Sequence, residues 1–343
     1  MSEPAGTNPL ELRPARTDEA AAILAYYKAQ LRAGARVADV MQWRAVDSAA
    51  SGGNAPAVAV RDGALFGIVN SVPATLTFGG KRLPAAWQGD SVVSPELRGQ
   101  GVARKLVHAA SAEAAVVLAK GTLPAMYQLR KSVGFEDVGN AEYLMRGLGF
   151  AGTTTKRRLR NGLLWIWGAL RGKTIGSAGI VVETDRFTDD FDDLESRIAT
   201  VDEVRIAKST AFLRWRYGAA PSRRYRIFRL DRDGMLQGAA VLRDAAKPGD
   251  DAWLVDLVVD PRAGDTIYQL VSAALHAARG SGAGSVRTFA TSPRVREVLF
   301  GAGFVRTRDT PRFTRWIRDS AAAGFAREAS WHISHGDGDI ELY

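Results

Sequence analysis

The stretch SVVSPELRGQGVARKL, residues 91–106, decides how this chain is read. An apolar, strand-like run ends at Ser94-Pro95. The chain then turns through Arg98, Gly99, Gln100 and Gly101 and enters a helical pattern predicted over 103–114. Where a helix begins, its first N–H groups have no intrahelical partner, and the helix dipole adds partial positive charge. Glycines at 99 and 101 remove the Cβ atoms that would hold a diphosphate away from those amides. Arg98 and Arg104 can add charge-assisted contacts. The turn reads as an anion cradle.

Working outward, residues 11–14 read as a strand, and Thr17-Asp-Glu-Ala opens a helix with Ile23, Leu24 and Tyr27 at helical spacing. Strands at 57–61 and 65–71 flank Asp62-Gly63, a hairpin signal, and 74–78 and 86–94 follow. Beyond the cradle come a strand at 115–119, a helix at 124–133 stopped by Gly134-Phe135, and a strand at 142–146 that closes the unit. Residues 176–320 repeat the order. A hairpin turns at Asp233-Gly234, a strand at 253–260 ends in Asp-Pro, and helix, strand and short helix lead to Gly303-Phe304. This has the form of an internal duplication. The expected division is a disordered leader at 1–9, a domain at 10–150, a basic and apolar linker helix at 151–175, and a second domain with its tail at 176–343.

The 343 residues suit two domains, each able to bury a core. With no cysteine, disulfides, thiolate metal sites and an acyl-cysteine intermediate are excluded. The start is acidic and no apolar run reaches about 18 residues, so neither a secretory signal nor a spanning helix is expected. A cytoplasmic protein is the expectation. Net charge is +9, but only nine of the 46 basic residues are lysine, a bias that can reflect codon usage as well as a polyanionic ligand.

Arg98-x-x-Gly101-x-Ala103 resembles the acyl-CoA pyrophosphate loop of the GNAT superfamily of N-acyltransferases. Arg279-Gly-Ser-Gly282-Ala-Gly284 has the same spacing, but it ends a helix and is read as a stop and turn. The opening ELRPARTDEA is also similar to the first strand and helix of that superfamily. With the second half included, the chain resembles a tandem GNAT protein. The fold implied is α/β: two GNAT-like domains, each a mixed, mostly antiparallel sheet flanked by helices. The resemblance implies that Arg98, Gly99, Gln100, Gly101, Val102, Ala103 and Arg104 hold the pyrophosphate. It also implies that backbone groups at Val92, Val93 and Ser94 bind pantetheine in a gap between the fourth and fifth strands, where a freed N–H polarises the thioester. An amine then attacks directly.

Many relatives place a Tyr four residues before the Gly-Phe; this chain has Arg130 there. Tyr127, one turn earlier, is the candidate acid, or else an aromatic packing residue. Asp90 is the candidate base, or else a solvated carboxylate at a strand end. In the second half the corresponding loop, Arg262-Ala-Gly-Asp265, lacks the spacing and carries an acid where phosphate would sit. Leu299 takes the Tyr position there, so that half is expected not to bind acyl-CoA. The segment FLRWRY at 212–217 is similar to one in tandem members linked to cell-surface polysaccharide synthesis, although Trp215 and Tyr217 also suit a core.

In the tail, His332, His335, Asp337 and Asp339 offer metal-type ligands, solvated acids, or acids lining an acceptor pocket. On strand alternation, His335, Asp337 and Asp339 share one face. No metal is expected. Residues 156–173, a greasy run between basic ends, suit either an interdomain helix or an anionic membrane surface.

The expected function is an acyl-CoA-dependent N-acyltransferase, most simply with acetyl-CoA, acting on a small amine such as an amino sugar, with no nucleic-acid partner. The alternatives are an aminoacyl-tRNA-dependent transferase of similar fold and a non-catalytic CoA-binding or scaffold protein.

Overall fold

The computed structural model describes residues 8–30, 36–47, 55–120, 123–138, 142–171, 180–221, 225–308, 313–319, 322 and 330–337. Its strands are β1 (Glu11–Pro14), β2 (Ala57–Arg61), β3 (Ala64–Phe78), β4 (Lys81–Val93), β5 (Val116–Lys120), β6 (Glu136–Asp137), β7 (Glu142–Gly147) and β8 (Ile180–Thr184). There follow β9 (Glu203–Ile206), β10 (Tyr225–Arg232), β11 (Met235–Arg243), β12 (Asp251–Val259), β13 (Ser285–Ala290), β14 (Val305–Arg306), β15 (Phe313–Ile317) and β16 (Ser330–His332). The helices are α1 (Ala20–Gln30), α2 (Arg36–Met41), α3 (Val102–Ala109), α4 (Pro124–Ser132) and α5 (Thr155–Arg171), then α6 (Asp190–Ile198), α7 (Thr210–Leu213), α8 (Gly264–Gly280) and α9 (Pro293–Gly301).

Two mixed sheets carry the core. The first runs β1-β2-β3-β4-β5-β15-β6, with β9 joined to β3 and β16 to β9. The second runs β14-β7-β13-β12-β11-β10-β8. The expected hairpins form at Asp62-Gly63 and Asp233-Gly234, where all four residues hold the positive φ that such tight turns need. The segments 65–71 and 74–78 are not separate strands. β3 is continuous, and Pro73 sits opposite Ala86 of β4. β2 leaves β3 at Val69 and β9 joins only at Leu76, so on that edge Pro73's missing N–H interrupts no ladder.

The reading of residues 142–146 as the strand that closes the first unit needs correction. β7 pairs antiparallel with β13 and β14 in the second sheet. Its place in the first sheet is taken by β15, which pairs with β5 and β6. The two halves thus exchange a strand each. Between the sheets, Trp87, Val116 and Leu118 pack with Phe289, Phe313, Val204 and Trp331. The opposite face of the first sheet packs Ala86 and Val117 against Val102 and Leu106 of α3. Gly67 allows that approach, because a Cβ there would lie 2.9 Å from the Leu106 side chain.

Among the described residues, no helix is long and apolar enough to cross a membrane.

Candidate functional site

β4 and β5 run parallel and are paired from Ala85–Val116 to Trp87–Leu118, and no further. Beyond Trp87, β4 stays paired with β3 through Val93, but its other edge is released from β5. The release coincides with a bulge. Two residues of β4, Asp90 and Ser91, oppose Val69 alone on β3, and Asp90 adopts φ +47°. The result is an open strand edge over residues 88–93.

At the end of that edge, residues 95–97 form a single helical turn and α3 begins at Val102 with Gly101 as its cap. Gly99 and Gly101 hold φ +78° and +77°, and a Cβ at either would meet nothing within 4 Å. Space therefore lies in front of both. The first helical bond is the one Lys105 donates to the Gly101 carbonyl. Among the described residues, the N–H groups of Gly99, Gly101, Val102, Ala103 and Arg104 have no backbone acceptor. The Arg98 Nε donates to the Val93 carbonyl at 3.2 Å, and Arg104 Nη2 to the Ser132 hydroxyl at 3.2 Å, both at the exposed surface. Gln100 caps the Glu96 carbonyl. The turn thus keeps the form of an anion cradle, and α3 is shorter than the expected 103–114.

Val92 and Val93 lie on the open edge. The Ser94 N–H is already donated to the Phe66 carbonyl at 2.8 Å, and its buried hydroxyl shares a hydrogen bond with Tyr26.

Asp90 is not a solvated strand-end acid. Its side chain is 7% exposed and forms an ion pair with Arg44 at 2.9 Å, while Tyr27 donates to its backbone carbonyl. The Tyr127 hydroxyl donates to both oxygens of Asp137, at 3.0 and 2.9 Å. Arg130 reaches from α4 to donate to the Gln88 carbonyl of β4, the first residue past the last β5 pair. Burial lowers its pKa to about 10, with Asp90 acting the other way. The departure at position 130 therefore puts a buried cation beside the opened strand.

On the sheet face away from α3 lies a small opening lined by Trp43, Arg44, Val72, Trp87, Phe212, Trp215, Arg216 and Asp337. Trp43 and Trp215 stack with ring centres 4.7 Å apart. Arg44 links this opening to Asp90 at the bulge. Sequence reading offers Asp337 for an acceptor pocket and Phe212 and Trp215 only as part of the FLRWRY segment, and does not point to Trp43 or Trp87. No spacing rule joins residues that meet only when the helical segments at 42–47 and 210–218 and the tail close over the first sheet.

The tail's expected alternation does not hold. β16 ends at His332 and residues 335–337 form a helical turn. Ser334 bridges Ala290, the Thr291 N–H donates to the Ile333 carbonyl, and the Ile333 N–H donates to the Thr291 hydroxyl. In the second sheet β12 and β13 part after Leu254–Thr288, and this tail lies in the parting, with His332, Ile333 and Ser334 against Asp256 and Phe289. The place that corresponds to the opened edge of the first sheet is filled by the chain itself.

Beneath it, Lys208 forms ion pairs with both Asp256 and Asp337. Tyr217 donates to Asp256 at 2.6 Å, and the Ser334 N–H donates to Asp337 at 2.6 Å. Burial pushes Asp256 up, but Lys208 and the neighbouring hydroxyls outweigh it and hold that carboxylate low. Burial and the Asp256 charge keep Asp337 raised. Lys120, at the end of β5, donates to the His335 carbonyl at 3.0 Å, and burial lowers its pKa to about 7. No group of three or more acids and histidines that could hold a metal occurs among the described residues, and Asp339 lies outside them.

A family model described as an acetyltransferase (GNAT) domain matches residues 11–137. No curated protein sequence matches the chain. Among solved structures, a GCN5-related N-acetyltransferase from Anabaena variabilis superposes with a TM-score of 0.65 at 12% identity, over 91% of this chain and 73% of that one. One from Kribbella flavida gives 0.63 at 17% identity, over 92% and 73%. The N-myristoyltransferase of Saccharomyces cerevisiae with bound myristoyl-CoA gives 0.54 at 13% identity, over 91% and 85%. At these identities the likeness is one of fold.

Proposed function

We propose that the protein is an acyl-CoA-dependent N-acyltransferase, a reading supported by the match of residues 11–137 to the acetyltransferase (GNAT) domain model. Acetyl-CoA is the simplest donor, and a small amine attacks it directly in a ternary complex. The reading is carried by one observation: the β4 edge freed beyond Trp87 leads straight to a turn whose amides at Gly99 and Gly101–Arg104 have no backbone acceptor among the described residues, with open space beside both glycines. Those amides, with Arg98 and Arg104, hold the pyrophosphate. The pantetheine arm lies along residues 92–94. Since Ser94 has given its N–H to Phe66, Val92 or Val93 supplies the donor that polarises the thioester carbonyl.

The acceptor enters from the other face, through the aromatic opening. Its rings and paired charges suit a compact amine with an apolar face, such as an amino sugar. Asp90, held by Arg44 at the bulge, receives the amine's proton. Tyr127 remains the candidate donor to the departing thiolate, and the buried Arg130 cation stabilises that thiolate electrostatically. The second half binds no acyl-CoA, because its own tail occupies the corresponding parting. An acyl-CoA donor fits a cytoplasmic enzyme.

Acetyl-CoA should raise the melting temperature, and Gly101→Asp should abolish that rise by setting a carboxylate in the phosphate cradle. An unchanged rise in that variant would reject the assignment. A non-catalytic CoA-binding protein is the second reading, favoured by Arg130 at the position where many relatives carry Tyr. Release of CoA thiol across a panel of amines separates the two, since a binding protein releases none.

A further inference from the structure

α5 presents to solvent the face that a helix ordinarily buries. Its inward side is small and polar. Asn161 and Gly168 are buried toward β7 and Gly162 against Phe150, and Arg146 donates to the Leu164 and Trp165 carbonyls at 3.1 Å each. Close contact there depends on missing side chains, since a Cβ on Gly147 would lie 2.1 Å from the Asn161 carbonyl oxygen. The outward side carries Leu159, Leu163, Ile166, Trp167 and Leu170, which are 58%, 58%, 42%, 43% and 80% exposed. Spacings of four, three, one and three residues put all five on one stripe.

The charge on this helix has a single sign. Residues 155–171 contain five basic residues and no acid. Arg157 and Arg160 are tied to Asp250 and Asp251, whereas Lys156 and Arg158 are exposed at the same end as Leu159. An apolar stripe with a tryptophan and flanking cations fits the boundary between lipid headgroups and acyl chains. A second copy of the chain fits less well, because two copies of a helix with five basic residues and no acid offer each other no opposite charge.

We propose that α5 lies flat on an anionic phospholipid surface, with Leu159, Leu163, Ile166, Trp167 and Leu170 inserted and Lys156 and Arg158 against the headgroups. The inference is independent of the acyl-transfer reading. The full chain should float with vesicles of equal parts phosphatidylcholine and phosphatidylglycerol, and about tenfold less with phosphatidylcholine alone. The double variant Leu163→Gln/Leu170→Gln alters only positions that are more than half exposed, so its melting temperature should be unchanged while flotation falls by about tenfold. Three results would overturn the proposal. One is no flotation by the unaltered chain, and another is equal flotation by the variant. The third is absence of flotation together with a dimer, seen by sedimentation, that the same variant dissolves; that result would name a second copy as the occupant.

Discussion

The His332 ring is buried, and burial followed by the nearby Lys208 and Arg205 cations pushes its pKa down to about 3 from 6.5. The unfolded chain takes up a proton near pH 6.5 that the folded chain resists. Stability from this residue is therefore full above that pH and falls as the pH drops toward about 3, by up to roughly 1.4 kcal/mol per pH unit. His332→Leu should flatten that decline, as read from urea midpoints across the interval. A second residue-scale test concerns Asp90. Arg44→Ala would leave this carboxylate, 7% exposed, without its cation, and should lower the unfolding free energy by about 3 kcal/mol. Adding Asp90→Asn should recover part of the loss, and a double-mutant cycle showing simple additivity would mean that the pair is not coupled. The Asp90 carboxylate was legible in the sequence as a candidate; its partner was not, because Arg44 and Asp90 meet only after the helical turn Gln42–Asp47 packs against β3.

Single elements were mostly legible, since period and turn chemistry act over a few residues. The two Asp-Gly hairpins, the Gly134 and Gly303 helix stops and the glycine cradle before α3 rest on local backbone demands that a short stretch of sequence displays. Pro73 misled for the same reason. Locally it reads as a break, and only the absence of a neighbour on one edge of β3 makes it harmless. The fit of α5, Thr155–Arg171, to β7 rests on Gly147. Gly147→Ala would drive a methyl group into the Asn161 carbonyl and should cost about 2 kcal/mol or more, measured by chemical unfolding.

For the whole molecule, the exchange of β7 and β15 makes each sheet incomplete without the other half. Neither half can then unfold alone without opening the other's sheet. Calorimetry should show one transition with equal calorimetric and van't Hoff enthalpies, although the chain is long enough for two domains. Two separated transitions would contradict this coupling. Residues 10–150 produced alone should aggregate, since β5 would expose the edge that β15 covers.

By itself the sequence determined the order of elements in each half, the place of the glycine turn before α3 and the absence of cysteine chemistry, because each is written in neighbouring residues or in composition. Only the tertiary structure decided which half owns β7 and β15, that Trp43, Trp87 and Trp215 wall one opening, that Arg44 holds Asp90, and that the tail fills the second sheet's parting. Those outcomes turn on contacts between residues far apart in the chain, and strand pairing there is chosen by which apolar faces can be buried together. No local pattern carries that information.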